Sequence, residues 1–386
     1  MKRIISLALV LVICCGLLAG CGGQIANEKA ADAAIENATV STAETALENA
    51  TEAVEEVSDE PRTFTDDTGR IVTVPQEIKS IAVSGPLAQI YLISIASDMM
   101  VGCANQFSVE AEKYLSDELL SLPQLGQLYG GKGTMDLESL LAAAPDVVID
   151  VGEAKGSIVE DLDGLTEQTG IPFIHIDASV EASPDAYRRI GELLGREEKA
   201  EEIALYLEGI LDEVNSIMEK VDADNARKDV IYCLGDKGLN VLANGSYHAE
   251  TLALVANNIA EVDDIVSSGA GNEVDMEQLM IWNPEFIVFA PDSVYSSVAK
   301  DATWQELAAI SEGRYCRTPS GPYGWLQSPP AVQRYLGLIW LTSVLYPDYC
   351  TFNLQEKVAE YYEIFYGCEL SDEDYALLTE DAFPFA

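Results

Sequence analysis

Apolar and polar positions follow two rhythms along most of this chain. Short, nearly unbroken apolar runs end in glycine or acidic turns: "IKSIAVSG" (78–85), "IPFIHID" (171–177) and "DVIYCLG" (229–235). Such runs predict strands buried on both faces. Between them come helical segments, "PLAQIYLISI" (86–95) and "HAETLALVAN" (248–257). Strands alternating with helices predict parallel sheets. One stretch, 196–221, carries apolar residues at Ile203, Leu207, Ile210, Leu211, Val214, Ile217, Met218 and Val221. That spacing predicts a single helix roughly 40 Å long.

An internal repeat organises these elements. "LESLLAAAPDVVIDV" (137–151) matches "MEQLMIWNPEFIVFA" (276–290). Glu138 aligns with Glu277 and Pro145 with Pro284. Each copy reads as a short helix with a glutamate in its first turn, a proline that ends it, and a buried strand. The expected fold is therefore α/β, with two similar lobes of parallel-type sheets bridged by one long helix. The lobes fall at 61–182 and 227–386, with the helical bridge at 183–226.

The first residues have a different pattern. Lys2 and Arg3 precede an apolar run from Ile4 to Leu18, which suits a signal peptide and is short for a membrane-spanning helix. Leu18-Ala19-Gly20-Cys21 resembles the bacterial lipobox, which implies cleavage after residue 20 and lipid on Cys21. Residues 21–60 then form an acidic, aromatic-free segment, expected to be a flexible tether.

Composition narrows function. The chain has 65 acidic and 22 basic residues, a formal net charge of −43. Nucleic acid is excluded as a partner, because phosphate neutralisation needs clustered Lys and Arg. Of eight cysteines, Cys14 and Cys15 leave with the signal and Cys21 takes lipid. Cys233 and Cys316 lie in apolar runs and read as buried thiols. A Cys350–Cys368 bridge stays open, and no zinc-ligand spacing occurs. Neither HExxH, a P-loop, GxSxG nor a Ser-His-Asp arrangement appears, and two histidines leave little scope for acid–base catalysis. The expectation is a binding protein rather than an enzyme.

Ligands of such sheets sit outside the carboxyl ends of the strands. In the first lobe those loops include Ser84-Gly85-Pro86, "YGGKGT" (129–134) with Tyr129 and Lys132, and "GEAKG" (152–156) with Lys155. In the second they include "NGSYH" (244–248) and "SGPYGWLQSPP" (320–330). Lys132 suits an anionic ligand, or its loop is only a flexible turn. Tyr247 and His248 could ligate iron or haem, or His248 simply opens a helix. Tyr323 and Trp325 offer aromatic faces to a bulky chelate or macrocycle, with Trp325 as a core plug the alternative. His175, inside an apolar strand, reads as structural.

These residues also carry a family resemblance. "TFTDDTGRIVTVPQEIKSIAV" (63–83), both repeat units, "TWQELAAISEGRYCRTP" (303–319) and "LGLIWLTSVLYPD" (336–348) resemble class III substrate-binding proteins of ABC importers. The likeness spans about residues 62–365. It implies two lobes joined by one helix, with the ligand in the cleft between them. It implies that Glu138 and Glu277 dock onto arginines of a membrane permease, which works with an ATPase. It implies an iron complex of ferric siderophore type as ligand; corrinoid, haem, and molybdate or tungstate are the alternatives. No cofactor is expected beyond this metal-chelate ligand, and the chain is expected to act as a monomer held at the cell membrane.

Overall fold

The computed structural model describes residues 60–129, 134–266, 268–327 and 329–384. The segments expected to be a signal peptide and a tether, with Cys21, and Lys132 lie outside the described residues. Asp59–Ala386 forms one compact unit, in which the described residues form a two-stranded hairpin and two larger sheets.

The chain enters through a hairpin of β1 (Arg62–Thr65) and β2 (Ile71–Val74). Its turn is built around Asp66. One carboxylate oxygen accepts from Thr68 N at 3.1 Å, Thr68 Oγ1 at 2.6 Å and Arg70 N at 3.0 Å. The other accepts from Arg70 Nη1 at 3.1 Å and from the backbone N of His175 at 3.3 Å. This short-range bonding explains the polar "TDDTGR" between two apolar runs, and it pins the hairpin to the first lobe.

The first sheet joins β3 (Ile81–Val83), β4 (Val147–Gly152) and β5 (Phe173–Asp177), all parallel, in the order β3-β4-β5. Helix α1 (Pro86–Ala96) follows β3, α2 (Leu137–Ala143) precedes β4, and α3 (Ile158–Thr169) leads into β5. Then α4 (Ser183–Leu194) and the long α5 (Glu197–Ala223) carry the chain across. At 27 residues, α5 is about 40 Å long, and Ile203, Leu207, Ile210, Val214, Ile217, Met218 and Val221 form its buried stripe.

The second sheet contains β6 (Asp229–Leu234), β7 (Asn240–Val241), β8 (Asn257–Asn258), β9 (Asn272–Glu273), β10 (Phe286–Phe289) and β11 (Tyr315–Arg317). Its main order is β11-β10-β6-β7-β9, with β8 beside β6. The pairs β11–β10, β10–β6 and β6–β8 are parallel; β6–β7 and β7–β9 are antiparallel. The all-parallel expectation therefore needs correction on this edge. Two-residue strands are too short to leave a periodic pattern in sequence.

The repeat sets the centre of each lobe. Val147 pairs with Ile81, and its counterpart Phe286 pairs with Val230. Thus β4 and β10 are both middle strands, each between the first strand of its lobe and a third parallel one. The helices before them match as well. Asp136 caps α2 by accepting from Glu138 N and Ser139 N, and Asp275 caps α7 (Met276–Trp282) by accepting from Gln278 N. Leu140 and Leu279 are buried, and Ala144 and Asn283 end the helices with φ of 46° each. The left-handed residue, one position before the proline, is what terminates each helix.

The longer helices that follow include α6 (Glu250–Val255), α8 (Arg334–Leu345), α9 (Leu354–Tyr366) and α10 (Asp372–Leu378), and single helical turns lie at Asp117–Leu120, Tyr295–Val298 and Ala308–Ser311. Helix α8 is buried nearly all round and packs on α5, α6 and α9. Helix α9 also reaches α1 of the first lobe, where Tyr362 meets Tyr114 edge-on at 5.2 Å. The five described cysteines are free thiols, including Cys350 and Cys368, with Cys233 and Cys316 buried.

Candidate functional site

The carboxyl ends of both sheets face loops that carry most of the polar chemistry. At the end of the first sheet, Ser84 Oγ donates to Asp150 Oδ1. Asp150 Oδ2 lies 2.6 Å from His175 Nδ1, and Asp177 Oδ1 lies 2.9 Å from His175 Nε2. His175 is fully buried. Burial pushes its pKa down, but the hydrogen bonds and charges of Asp150 and Asp177 outweigh that and raise it. A carboxylate on each ring nitrogen thus favours the imidazolium form. This is a structural ion cluster; it braces β4 against β5 behind the cleft.

On the second lobe the "NGSYH" loop enters a short turn of helix capped by Ser246, whose side chain accepts from His248 N. His248 is half-buried, and its Nδ1 lies 3.2 Å from Gln327 Oε1. Burial lowers its pKa first; Gln327 works the other way, and the charges of Arg334 and Lys155 lower it further. His248 is therefore neutral near pH 7. With Gln327 Oε1 as acceptor, Nδ1 carries the proton and Nε2 keeps its lone pair. Lys155 and Glu153 belong to the first lobe, and His248 feels both charges.

The other expected site residues fall in different places. Pro86 opens α1 and is half-buried beside the Ser84 turn. Lys155 is half-buried and paired with Glu153 at 2.5 Å. Tyr129 is turned onto its own lobe, where its hydroxyl donates to Asp161 Oδ2 at 2.9 Å. Tyr247 is a correction to the metal-ligand expectation. Its hydroxyl donates to the carbonyl of Ala178 at 2.5 Å, and its ring lies under the Arg334 guanidinium at 4.7 Å. Burial raises the Tyr247 hydroxyl pKa, so the group stays a protonated donor.

Trp325 is the second correction. It is 0% exposed and packs in the main core, not in the cleft. Its loop lies directly on α8: a Cβ at Gly337 would stand 2.4 Å from the Trp325 carbonyl oxygen. The large ring fills the space under an irregular segment that would otherwise be hollow. Tyr323 is half-buried between the lobes, and Gln89 Nε2 donates to its hydroxyl at 3.2 Å. Glu138 and Glu277 are both exposed on their short helices.

Three residues of this region were absent from the sequence reading. Arg334 is 1% exposed and contacts Glu250 and Tyr247 at the base of the cleft. Gln327 orients His248. The signal for Arg334 was present: it is the one charge in "AVQRYLGLIWLTSVL" (331–345), an otherwise apolar helical run. The third is Gly269, in a loop that also exposes Ile265 and Val266; a Cβ there would lie 3.7 Å from His248 Cε1. Among the described residues no group of His, Cys, Asp and Glu is arranged to hold a metal ion by itself. No described helix is long and apolar enough to cross a membrane.

Two lobes with like central strands, joined by one long helix, define the architecture of a two-lobed ligand-binding protein. A profile of the periplasmic binding protein family matches residues 84–322, and the chain belongs to that family. It is a solute-binding component of an ABC importer, extracytoplasmic and non-enzymatic, which works with a permease and an ATPase. It is similar to an ABC transporter solute binding protein from Sulfurospirillum deleyianum, with 28% identity and a TM-score of 0.76 over 83% of this chain and 99% of that one. The fold is shared with the molybdate periplasmic binding protein MolA of Haemophilus influenzae, at 20% identity and a TM-score of 0.64 over 80% and 99%. It is also shared with the periplasmic catecholate-siderophore binding protein VctP of Vibrio cholerae, at 16% identity and a TM-score of 0.54 over 75% and 100%. A comparison with curated protein sequences finds no match.

Proposed function

We propose that this protein captures a metal chelate of ferric siderophore type between its lobes and delivers it to its permease. His248 carries the reading. A neutral, half-buried imidazole with an oriented Nδ1 can give Nε2 to a coordination position that a chelator leaves open. Exposed Ile265 and Val266 in the neighbouring loop give such a ligand an apolar rim. An oxyanion such as molybdate, the cargo named for one fold relative, finds support in Lys155. Glu153 already offsets that charge at 2.5 Å, so a compact dianion is the weaker candidate. Haem and corrinoid would meet the same imidazole.

Cys21 is the proposed lipid anchor, and Glu138 and Glu277 the proposed permease contacts, one on each lobe. Charge-assisted pairing to arginine at two separated points fixes orientation as well as affinity.

The test is a thermal-shift panel on the purified full chain in detergent. It would include ferric catecholate and hydroxamate complexes, haem, cobalamin, molybdate and tungstate. A ligand at 100 times its Kd adds about 2.7 kcal/mol. A shift with a ferric chelate that His248→Ala removes supports the reading. A shift with molybdate or tungstate alone discards it.

A further inference from the structure

We propose that Arg334 is the positioning residue of a clasp that fixes the spacing of the two lobes before any ligand arrives. The clasp has three grips, all on backbone groups of the first lobe just after β5. Tyr247 Oη donates to Ala178 O at 2.5 Å. Tyr335 Oη donates to Val180 O at 2.6 Å. Val180 N donates to Glu250 Oε2 at 3.1 Å. The gripping side chains come from the second lobe, from the helices and turn around its cleft.

Arg334 holds two of the three in place. Its Nη1 donates to Glu250 Oε2 at 2.8 Å and to Tyr247 O at 3.2 Å. Its Nη2 donates to Tyr247 Oη at 3.2 Å, and Nε to Ala331 O at 3.2 Å. A guanidinium that is 1% exposed is expensive to bury unless its donors are used in this way. The planar fork lets one cation set the directions of a carboxylate and a phenol together, which Lys cannot reproduce.

The clasp lies on the ligand side of the bridge. Gly152, at the end of β4, has φ of +138°, and a Cβ there would come 3.8 Å from Tyr247 Oη and 2.8 Å from Leu87 Cδ2. A side chain there would crowd Leu87 of the same lobe, and it would stand in van der Waals contact with Tyr247 Oη, which places the clasp beside the end of β4. His248, the proposed ligand contact, is the next residue along. Widening the lobes requires breaking the grips on Ala178 and Val180, so α5 is not the sole determinant of the cleft's width. The clasp accompanies the ligand reading, but it is a property of the ligand-free protein and is tested there.

The experiment is single-molecule energy transfer on the full chain in detergent. Dyes are attached at two exposed positions, one per lobe, through Glu160→p-azidophenylalanine and Lys300→p-azidophenylalanine. Hydrogen exchange of the segment containing Val180 is followed in parallel. Tyr247→Phe combined with Tyr335→Phe removes two grips without changing shape. It is expected to broaden and lengthen the interlobe distance distribution. Exchange at Val180 should rise by about two- to tenfold, the effect of losing a neutral hydrogen bond that holds its segment. Arg334→Met is expected to do the same to a greater degree, with Arg334→Lys between it and the parent. Should Arg334→Met not fold, the double tyrosine variant decides alone. An unchanged distance distribution in that double variant overturns the clasp, whatever ligand the protein is found to bind.

Discussion

His175 and His248 are the chain's two histidines, and the fold drives their pKa values in opposite directions. For His175 the folded value is raised, so its stabilising contribution is fully present below the unfolded value, near 6.5, and fades as pH rises through the folded value. The stability lost on His175→Gln is therefore expected to be larger at pH 5.5 than at pH 8.5, by urea denaturation. For His248 the folded value is depressed, so its contribution is present above the unfolded value and lost as pH falls. His248→Gln should relieve part of the acid destabilisation, and the same titration should weaken chelate binding at low pH. Trp325→Ala tests the corrected placement. Removing a fully buried indole is expected to cost about 3–5 kcal/mol. A variant that stays stable but loses ligand would return Trp325 to the cleft. Sequence could not separate these roles for Trp325 or Tyr247. An aromatic residue in a Gly- and Pro-rich loop looks the same whether the loop covers a core or borders a cleft. His175 was legible because a strand interior leaves a histidine nowhere else to go.

At the scale of elements, the repeat was the most informative feature, because it specified chemistry and position twice. It located the helix, the glutamate, the proline just beyond the helix and the central strand in both lobes. The residue that ends each helix was less visible. Ala144 at φ of +46° pays for the missing glycine in backbone strain. Ala144→Gly is expected to stabilise by about 1 kcal/mol, measured by thermal denaturation, while Asn283→Gly changes less because Asn tolerates this region. Removing the cap with Asp136→Ala should cost about 1 kcal/mol. The exposed glutamates two residues on, in the first turn, should behave differently. Glu138→Ala with Glu277→Ala is expected to leave melting and ligand affinity within error while abolishing uptake in cells. If uptake survives, these residues are ordinary solvated helix-terminal charges favoured by the dipole. Short antiparallel strands such as β7 and β9 were illegible for a simple reason: two residues cannot display a period.

At the scale of the whole molecule, the proposed function depends on keeping the receptor near its transporter, which is the role proposed for Cys21. A formal charge of −43 repels the domain from an anionic membrane surface, so no electrostatic attachment is available to it. Acyl chains on Cys21, the proposed anchor, would supply attachment instead, at about 0.8 kcal/mol per buried CH₂. If residues 22–60 act as a random coil, their root-mean-square reach is about 35 Å. That confines each receptor to a thin layer above the membrane, where encounter with the permease is far more frequent than from bulk. Cys21→Ser is accordingly expected to move the protein from the membrane fraction to the soluble fraction. The binding domain begins forty residues later and makes its interlobe contacts within itself, so its melting temperature and ligand affinity should not change. Uptake should fall most at ligand concentrations below Kd, because few receptors are then loaded and delivery limits the flux. Retention in the membrane fraction after Cys21→Ser would mean that the apolar run from Ile4 to Leu18 remains as the anchor, and the lipobox reading would be withdrawn.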